Sequence, residues 1–275
     1  FEESNLKKFE RPWDEKVATA FFRGTATGGG VTTHTNQRLH VSMLSHEWNE
    51  NKSNGKNKKN SDDKGHDVPY LDAKITGMNK RDKKIAGCKM THIKPVDFPF
   101  TMGKHNFTPI YEQSKFKYLL YIEGHCAACR YGFMMRLGSV ILKVESKCVA
   151  DSMWYFPLLR PYHDHVPVKA DLSDLQTQIE WCRNNDGKCK TIAENAIKVY
   201  NKYVSKSGII DYLHTVFVEI SKRTLFKPSW MLHPPSCREA PLMNSRGVLI
   251  SSAQQKALLN QGQSYFDDVC YTTTC

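Results

Sequence analysis

The residues best suited to chemistry sit between two apolar runs. Tyr118 to Val144 reads YLLYIEGHCAACRYGFMMRLGSVILKV. Leu119, Leu120, Tyr121 and Ile122 have the composition of a strand buried on both faces of a parallel sheet. Glu123-Gly124 ends that strand, and His125 leads into Cys126, Ala127, Ala128 and Cys129, which are small enough to let a ligand approach the backbone. The spacing predicts a helix from about Cys126, with Met134, Met135 and Leu137 on its buried side, a break at Leu137-Gly138-Ser139 and a second strand over Val140–Val144. A strand, a glycine turn and a helix start put unpaired N–H groups at one spot, and Arg130 adds a forked, permanent cation. That combination binds phosphate. The other reading has Arg130 facing solvent or pairing with Glu123 or Glu145, and the full dinucleotide fingerprint is absent.

Other groups qualify the picture. Thr25, Thr27 and Gly28-Gly29-Gly30, following Arg23-Gly24, form a turn rich in backbone donors, compatible with a phosphate nest. Cys126-x-x-Cys129 has the form of a redox or zinc half-site, but no second pair follows at ligand spacing, so small-residue packing is the reading adopted. His163-Asp164-His165 could set two imidazoles on one strand face, yet no third ligand is evident and the segment reads as a polar strand edge. No Asp-x-Asp pattern is present, and no metal is expected. Trp13 and Trp154 read as buried anchors.

The remaining elements must position these groups. Ser173 and Gln176 make a capping-box pattern ahead of a helix over Leu175–Arg183, Asn184–Gly187 turns the chain, and the helical period resumes over Thr191–Val204 and Ile209–Ile220. The chain has 275 residues, 40% of them hydrophobic, enough for a substantial core. Its formal charge of +11 raises the question of a nucleic-acid partner. Much of the excess lies between Asn49 and Lys94, which reads as a polar Lys- and Asn-rich surface insertion, so no nucleic acid is expected. The domain reading is a nucleotide-binding unit over 1–225, interrupted by that insertion, and a loop-rich tail over 226–275. No apolar run is long enough for a transmembrane segment. Nine cysteines leave at least one unpaired, and Cys182 and Cys189 could staple two helices in an oxidising compartment.

Three ordered blocks carry a resemblance. Trp13 and Lys16 with Phe21-Phe22-Arg23-Gly24-Thr25 form the first, and Phe116-Lys117 with the glycine-turn segment through Val144 the second. The third runs from Trp154 to Leu175, with Pro161, Pro167-Val168 and Asp171-Leu172, and on through Ile179-Glu180-Trp181, Asn185-Asp186 and Ile192-Ala193. Together they resemble the Rumi/CAP10 family of glycosyltransferases, which includes protein O-glucosyltransferases.

The resemblance implies a Rossmann-like parallel sheet flanked by helices, the carboxy-terminal half of a GT-B type enzyme. It implies inverting, metal-independent transfer from a UDP-sugar (UDP-glucose or UDP-xylose) to a hydroxyl of a protein or glycan acceptor. By motif position Arg23 and Arg130 would hold the diphosphate. Gly24, Thr25 and the run Gly124, His125, Cys126, Ala127, Ala128 and Cys129 would form its cradle.

In that family the proposed base is an Asp well upstream of the F-R-G block. Here 22 residues precede Arg23 and the chain opens on Phe1, which reads as a fragment or processed chain. Glu10, Asp14 and Glu15 read as surface carboxylates, so no base is assigned. A sugar-nucleotide or glycan-binding module lacking the base is the alternative. A secretory lumen is the expected location, and Asn51-Lys52-Ser53 and Asn106-Phe107-Thr108 match the N-glycosylation pattern.

Overall fold

The computed structural model describes residues 3–53, 68–78, 93–146 and 152–223. Its elements are α1 (Glu3–Phe9), β1 (Val17–Ala26), α2 (Gln37–Ser53), β2 (Leu71–Met78), β3 (Phe116–Tyr121), α3 (Arg130–Met134), β4 (Val140–Val144), β5 (Val166–Val168), α4 (Leu175–Asn184), α5 (Asp186–Val199) and α6 (Lys206–Arg223). The five strands form one parallel sheet in the order β2-β1-β3-β4-β5. The expected Rossmann-like α/β architecture is therefore present. From β1 the chain moves outward to β2, then returns past β1 to lay down β3, β4 and β5 on the other side. Connections leave in opposite directions between β1 and β3, and such a switch point opens a crevice at the carboxyl ends of the strands.

Both faces of the sheet are covered, as the near-continuous apolar composition of β3 and β4 requires. On one face Phe22, Tyr118, Leu120 and Leu142 pack with Leu39 and Val41 of α2 and with Leu175 and Ile179 of α4. Their sequence neighbours Phe21, Leu119, Tyr121 and Ile141 point the other way and meet Tyr131, Met134 and Met135 around α3, together with Tyr155. The sheet and its flanking elements up to His214 form one unit, and Thr215–Cys275 a second.

The structure departs from the sequence reading at definite points. The helix expected from about Cys126 begins at Arg130 and is five residues long. Ahead of it, Gly124 N donates to Cys126 O at 3.3 Å, and the Tyr121 hydroxyl engages both Ala128 N (3.0 Å) and Ala128 O (3.3 Å). These bonds hold 124–129 as an arc and not a helix.

Within the stretch read as a polar insertion, α2 runs on to Ser53 and Leu71–Met78 is the edge strand β2. Leu71, Ala73 and Ile75 are buried while Asp72 and Lys74 alternate with them, so few apolar residues sufficed and the strand was hidden by composition. Residues 54–67 and 79–92, and the tail 226–275, lie outside the described residues.

The capping box is not formed. Ser173 Oγ donates to Asp171 at 2.8 Å and Gln176 to Glu180 at 2.9 Å, because carboxylates nearby compete for both side chains. The turn before α5 shrinks to Asn185, and a π-helical turn over Tyr200–Val204 follows α5. Cys182 and Cys189 are buried free thiols, with Cys189 Sγ 3.5 Å from Cys182 O, and make no staple. Asn106 is buried and its Nδ2 donates to Ile75 O (3.0 Å) and Thr101 O (3.1 Å), so the atom a glycan would take is committed inside the fold.

At the amino end of the sheet, Trp13 Nε1 donates to Asp186 at 2.8 Å and Lys117 Nζ reaches the same carboxylate at 2.6 Å, tying β1 and β3 to α5. Trp154 is half-buried and stacks on Tyr212 with ring centres 4.2 Å apart. Buried Lys16 donates to Ser114 O (2.5 Å), Leu137 O (2.9 Å) and Ser139 Oγ (3.3 Å), joining three segments through one ammonium. Burial pushes its pKa down from 10.5 to about 8, with Glu10 opposing the shift.

The folded chain therefore releases this proton before the unfolded chain does. Stability is flat below about pH 8 and rises between about 8 and 10.5 on account of Lys16. Lys16→Met should unfold more easily at pH 7, by about 1–3 kcal/mol for the orphaned carbonyls. It should also lose its share of the rise, which denaturant unfolding of both proteins from pH 7 to 10.5 would measure.

Candidate anion-binding site

The switch-point crevice is built from the two loops that leave β1 and β3, with the start of α2 laid across them. Asn36 caps α2: its Oδ1 accepts from Arg38 N at 3.0 Å and Leu39 N at 3.1 Å. Its Nδ2 donates to Thr27 O (3.2 Å) and Gly30 O (3.1 Å), which holds the glycine loop against the helix start. Gln37 Nε2 then bonds Glu145 O (2.8 Å) and Ala170 O (2.7 Å), so the same turn reaches the far ends of β4 and β5. Gly28 has φ +109°, a left-handed conformation that a side chain would strain. Its N–H points to His125 Nδ1 at 3.4 Å, joining the two loops through a ring nitrogen that acts as acceptor.

Arg38 is the centre of this assembly. It is buried, and donates from Nε to Glu123 O (2.9 Å), from Nη1 to Thr25 O (2.9 Å) and Thr27 Oγ1 (2.7 Å), and from Nη2 to Ile122 O (2.8 Å). Carbonyls at the ends of parallel strands lack ladder partners, and one planar fork satisfies them on both β1 and β3. Room for it comes from two glycines. A Cβ on Gly124 would lie 2.6 Å from Thr27 Oγ1 and 3.3 Å from Arg38 Nη2, and one on Gly24 2.8 Å from the Phe22 ring.

Arg130, half-buried at the start of α3, sends Nη1 to Arg23 O at 2.6 Å. Both guanidiniums stand 5.8 Å from the centre of the Phe22 ring. Burial, reinforced by the neighbouring Arg130, pushes Arg38 down to about 9, and burial lowers Arg130 as well. Tyr121, the buried Glu123 carboxylate and Cys126 oppose the shift of Arg38, and a further anion in the crevice would act in the same sense. Four of the five donors of Arg38 are used inside the protein, whereas Arg130 places one on Arg23 O. The arrangement suits a group with several anionic oxygens and bare backbone on two sides.

The structure thus gathers Gly24, Thr25, Gly124, His125 and Arg130 in one crevice with the arc of Cys126, Ala127, Ala128 and Cys129. It does not bring the Arg23 guanidinium there. That group pairs with Asp72 of β2 at 2.8 Å, donates to Phe22 O and Asp72 O at 2.9 Å each, and lies 4.2 Å over the Phe21 ring. Arg23 enters the site through its carbonyl. Arg38 and Asn36 escaped the sequence reading, although Asn36 just ahead of Leu39 and Val41 carries the signal of a capped helix start.

Cys126 and Cys129 are exposed, not packed. Asp164 is buried between His165 Nδ1 (2.8 Å) and Arg160 N (2.9 Å), which stabilises the turn into β5, away from the crevice. Glu10, Asp14 and Glu15 are exposed and precede β1, at the opposite end of the sheet. A cleft of 280 Å³ at that end is lined by Leu6, Lys7, Glu10, Arg136 and Asn201, whose charges are of both signs, and it does not reach the strand carboxyl ends.

Comparison with known proteins follows the same regions. The family model of Glycosyl transferase family 90 matches residues 2–239. Uncharacterized protein 179R of Invertebrate iridescent virus 6 is 38% identical over 221 residues, covering 77% of this chain and 17% of its own length. Protein O-glucosyltransferase 3 of Rattus norvegicus is 26% identical over 219 residues, covering 78% of this chain and 34% of its own. The chain therefore spans 17% and 34% of the length of these two relatives. Anabaena Alr3699/HepE, solved in complex with UDP-glucose, superposes with a TM-score of 0.43 at 10% identity, over 80% of this chain and 54% of that one. Among the described residues no helix is long and apolar enough to cross a membrane.

The interior role of Arg38 is testable apart from any ligand. Arg38→Met should destabilise the fold by about 3 kcal/mol, because it strands carbonyls on two strands, while Arg130→Met should cost about 1 kcal/mol. Equilibrium denaturant unfolding of the two variants checks the difference, and equal losses would contradict it.

Proposed function

The chain belongs to glycosyl transferase family 90, and on that premise we propose that it binds the UDP-sugar donor of a glycosyl transfer. The acceptor is a hydroxyl of a protein or glycan. The observation that carries this reading is the pair of guanidiniums, Arg38 buried and Arg130 half-buried, set between two glycine loops at the switch point. A diphosphate is the part of such a donor that this cradle fits, with Gly28 on one side and Gly124 to Cys129 on the other. The name of the rat relative, a protein O-glucosyltransferase, favours a hexose such as glucose on the donor and a protein hydroxyl as acceptor. UDP-xylose is the pentose alternative, and a secretory lumen remains the proposed location.

In this reading the acceptor oxygen, deprotonated by a carboxylate, attacks the anomeric carbon as UDP departs with inversion. Arg38 and Arg130 take up the charge gathering on the departing diphosphate, the role a divalent ion plays in other donor sites, so transfer is proposed to be metal-independent. Glu10, Asp14 and Glu15 lie at the far end of the sheet and are not candidates for the base. The second reading is a sugar-nucleotide or glycan-binding module that needs no base.

Titration calorimetry with UDP tests the site. Arg130→Ala should weaken binding about 100-fold, or about 2.7 kcal/mol, whereas Arg23→Ala should change it less than about 3-fold because its guanidinium is held by Asp72. Unchanged affinity in Arg130→Ala would refute the assignment. Affinity that collapses when EDTA is added would refute metal independence, and UDP-glucose hydrolysis or transfer by the wild type separates the enzyme from the binding module.

A further inference from the structure

The arc from Gly124 to Cys129 carries a feature that nucleotide binding does not use. Cys126 and Cys129 are both free and both exposed, whereas the other two free cysteines among the described residues, Cys182 and Cys189, are buried. Only Ala127 and Ala128 separate the exposed pair, and both cysteines lie ahead of α3, which starts at Arg130. We propose that Cys126 and Cys129 are a redox-controlled thiol pair whose closure to an internal disulfide takes the arc out of its anion-binding shape. The effect on ligand rests on the donor reading above; the pairing itself does not.

The two thiols address different parts of the crevice. Cys126 lies within electrostatic reach of Arg38, which comes from α2 on one face of the sheet. Cys129 lies within reach of Tyr155, which packs in the core layer of the other face. A disulfide requires the two Cα atoms to approach within about 4.4–6.8 Å. An S–S bond would impose its own geometry on the backbone from Cys126 to Cys129, in competition with the bonds that now shape the arc, Gly124 N to Cys126 O and the two bonds of Ala128 to the Tyr121 hydroxyl. Arg130 follows Cys129 directly, so a change in the arc would be passed on to its bond with Arg23 O. Closure would therefore act on the cradle and on the Arg130 guanidinium at once.

A dialkyl disulfide such as oxidised glutathione supplies the oxidising equivalents. One protein thiolate attacks a glutathione sulfur and expels one glutathione thiolate. The second protein thiolate then displaces the other glutathione, forming the internal S–S bond. Two thiol protons and two electrons leave the protein, and one glutathione disulfide becomes two glutathiones. Exposure directs the reaction to these residues and away from buried Cys182 and Cys189.

The test uses the whole chain with UDP as probe. The chain is equilibrated with glutathione disulfide or with dithiothreitol, disulfides are located by peptide mass mapping, and UDP affinity is measured by calorimetry. A Cys126–Cys129 bond with affinity lowered at least about 10-fold and restored by dithiothreitol is the expected result. Cys129→Ser, whatever its own affinity, should give the same value under both conditions. A mapped internal bond with affinity unchanged within about 2-fold overturns the proposal, as does oxidation that yields only mixed disulfides with glutathione at these positions. A reduced chain that fails to bind UDP overturns the donor reading instead, and the mass map still decides whether the thiols pair.

Discussion

The carboxyl end of this sheet depends on one buried guanidinium. Where parallel strands stop, their last carbonyls lose their ladder partners, and where packing buries them they must find donors elsewhere. Arg38 supplies them to Ile122 and Glu123 after β3 and to Thr25 in β1, with Thr27 added from the loop. A lysine could not span both strands from one point, and a carboxylate partner would cancel the charge. Because carbonyls satisfy the fork, the cation stays positive toward the crevice. The packing of the site and its electrostatics are then one fact, and Gly24 and Gly124 are the condition for it, since a side chain at either would occupy the space the fork and its partners require.

The amino end of the sheet repeats the device. Lys16 is also buried, and also held by two carbonyls and a hydroxyl and by no carboxylate. There the cation is enclosed by the segments it joins and its three N–H donors are consumed, so it closes the fold. Arg38, with five donors in a plane, closes the fold and retains a donor for something else. Both positions show buried cations whose cost is offset by orphan carbonyls, and the number and geometry of their donors separates a structural tie from a site.

The arc over β3 belongs to the same logic. It is held by a tyrosine hydroxyl and one backbone bond, not by a helical ladder, so its shape answers to small forces. Arg130 sits at its end, tethered through the carbonyl of Arg23. The Arg38 side of the cradle is built into the core, while the Arg130 side rides on a short segment with two exposed thiols.

Much of this was legible in the chain itself. The apolar runs Leu119–Ile122 and Val140–Val144 announced buried parallel strands, because composition and spacing act locally, and the glycine turn with Arg130 marked the loop that lines the crevice. The family resemblance carried by Trp13, Lys16 and Phe21 to Thr25 agrees with the match over residues 2–239. Only the tertiary structure decided which cation joins Arg130. Arg23 stands in the prominent motif, but strand alternation turns its guanidinium toward Asp72 on the edge strand. Arg38 lies on a helix whose pattern showed no chemistry, and it reaches the crevice because the switch in strand order lays the start of α2 across the ends of β1 and β3. Spacing along a chain determines periodicity and burial; which side chains meet across a crevice depends on how strands are ordered, and no local pattern encodes that.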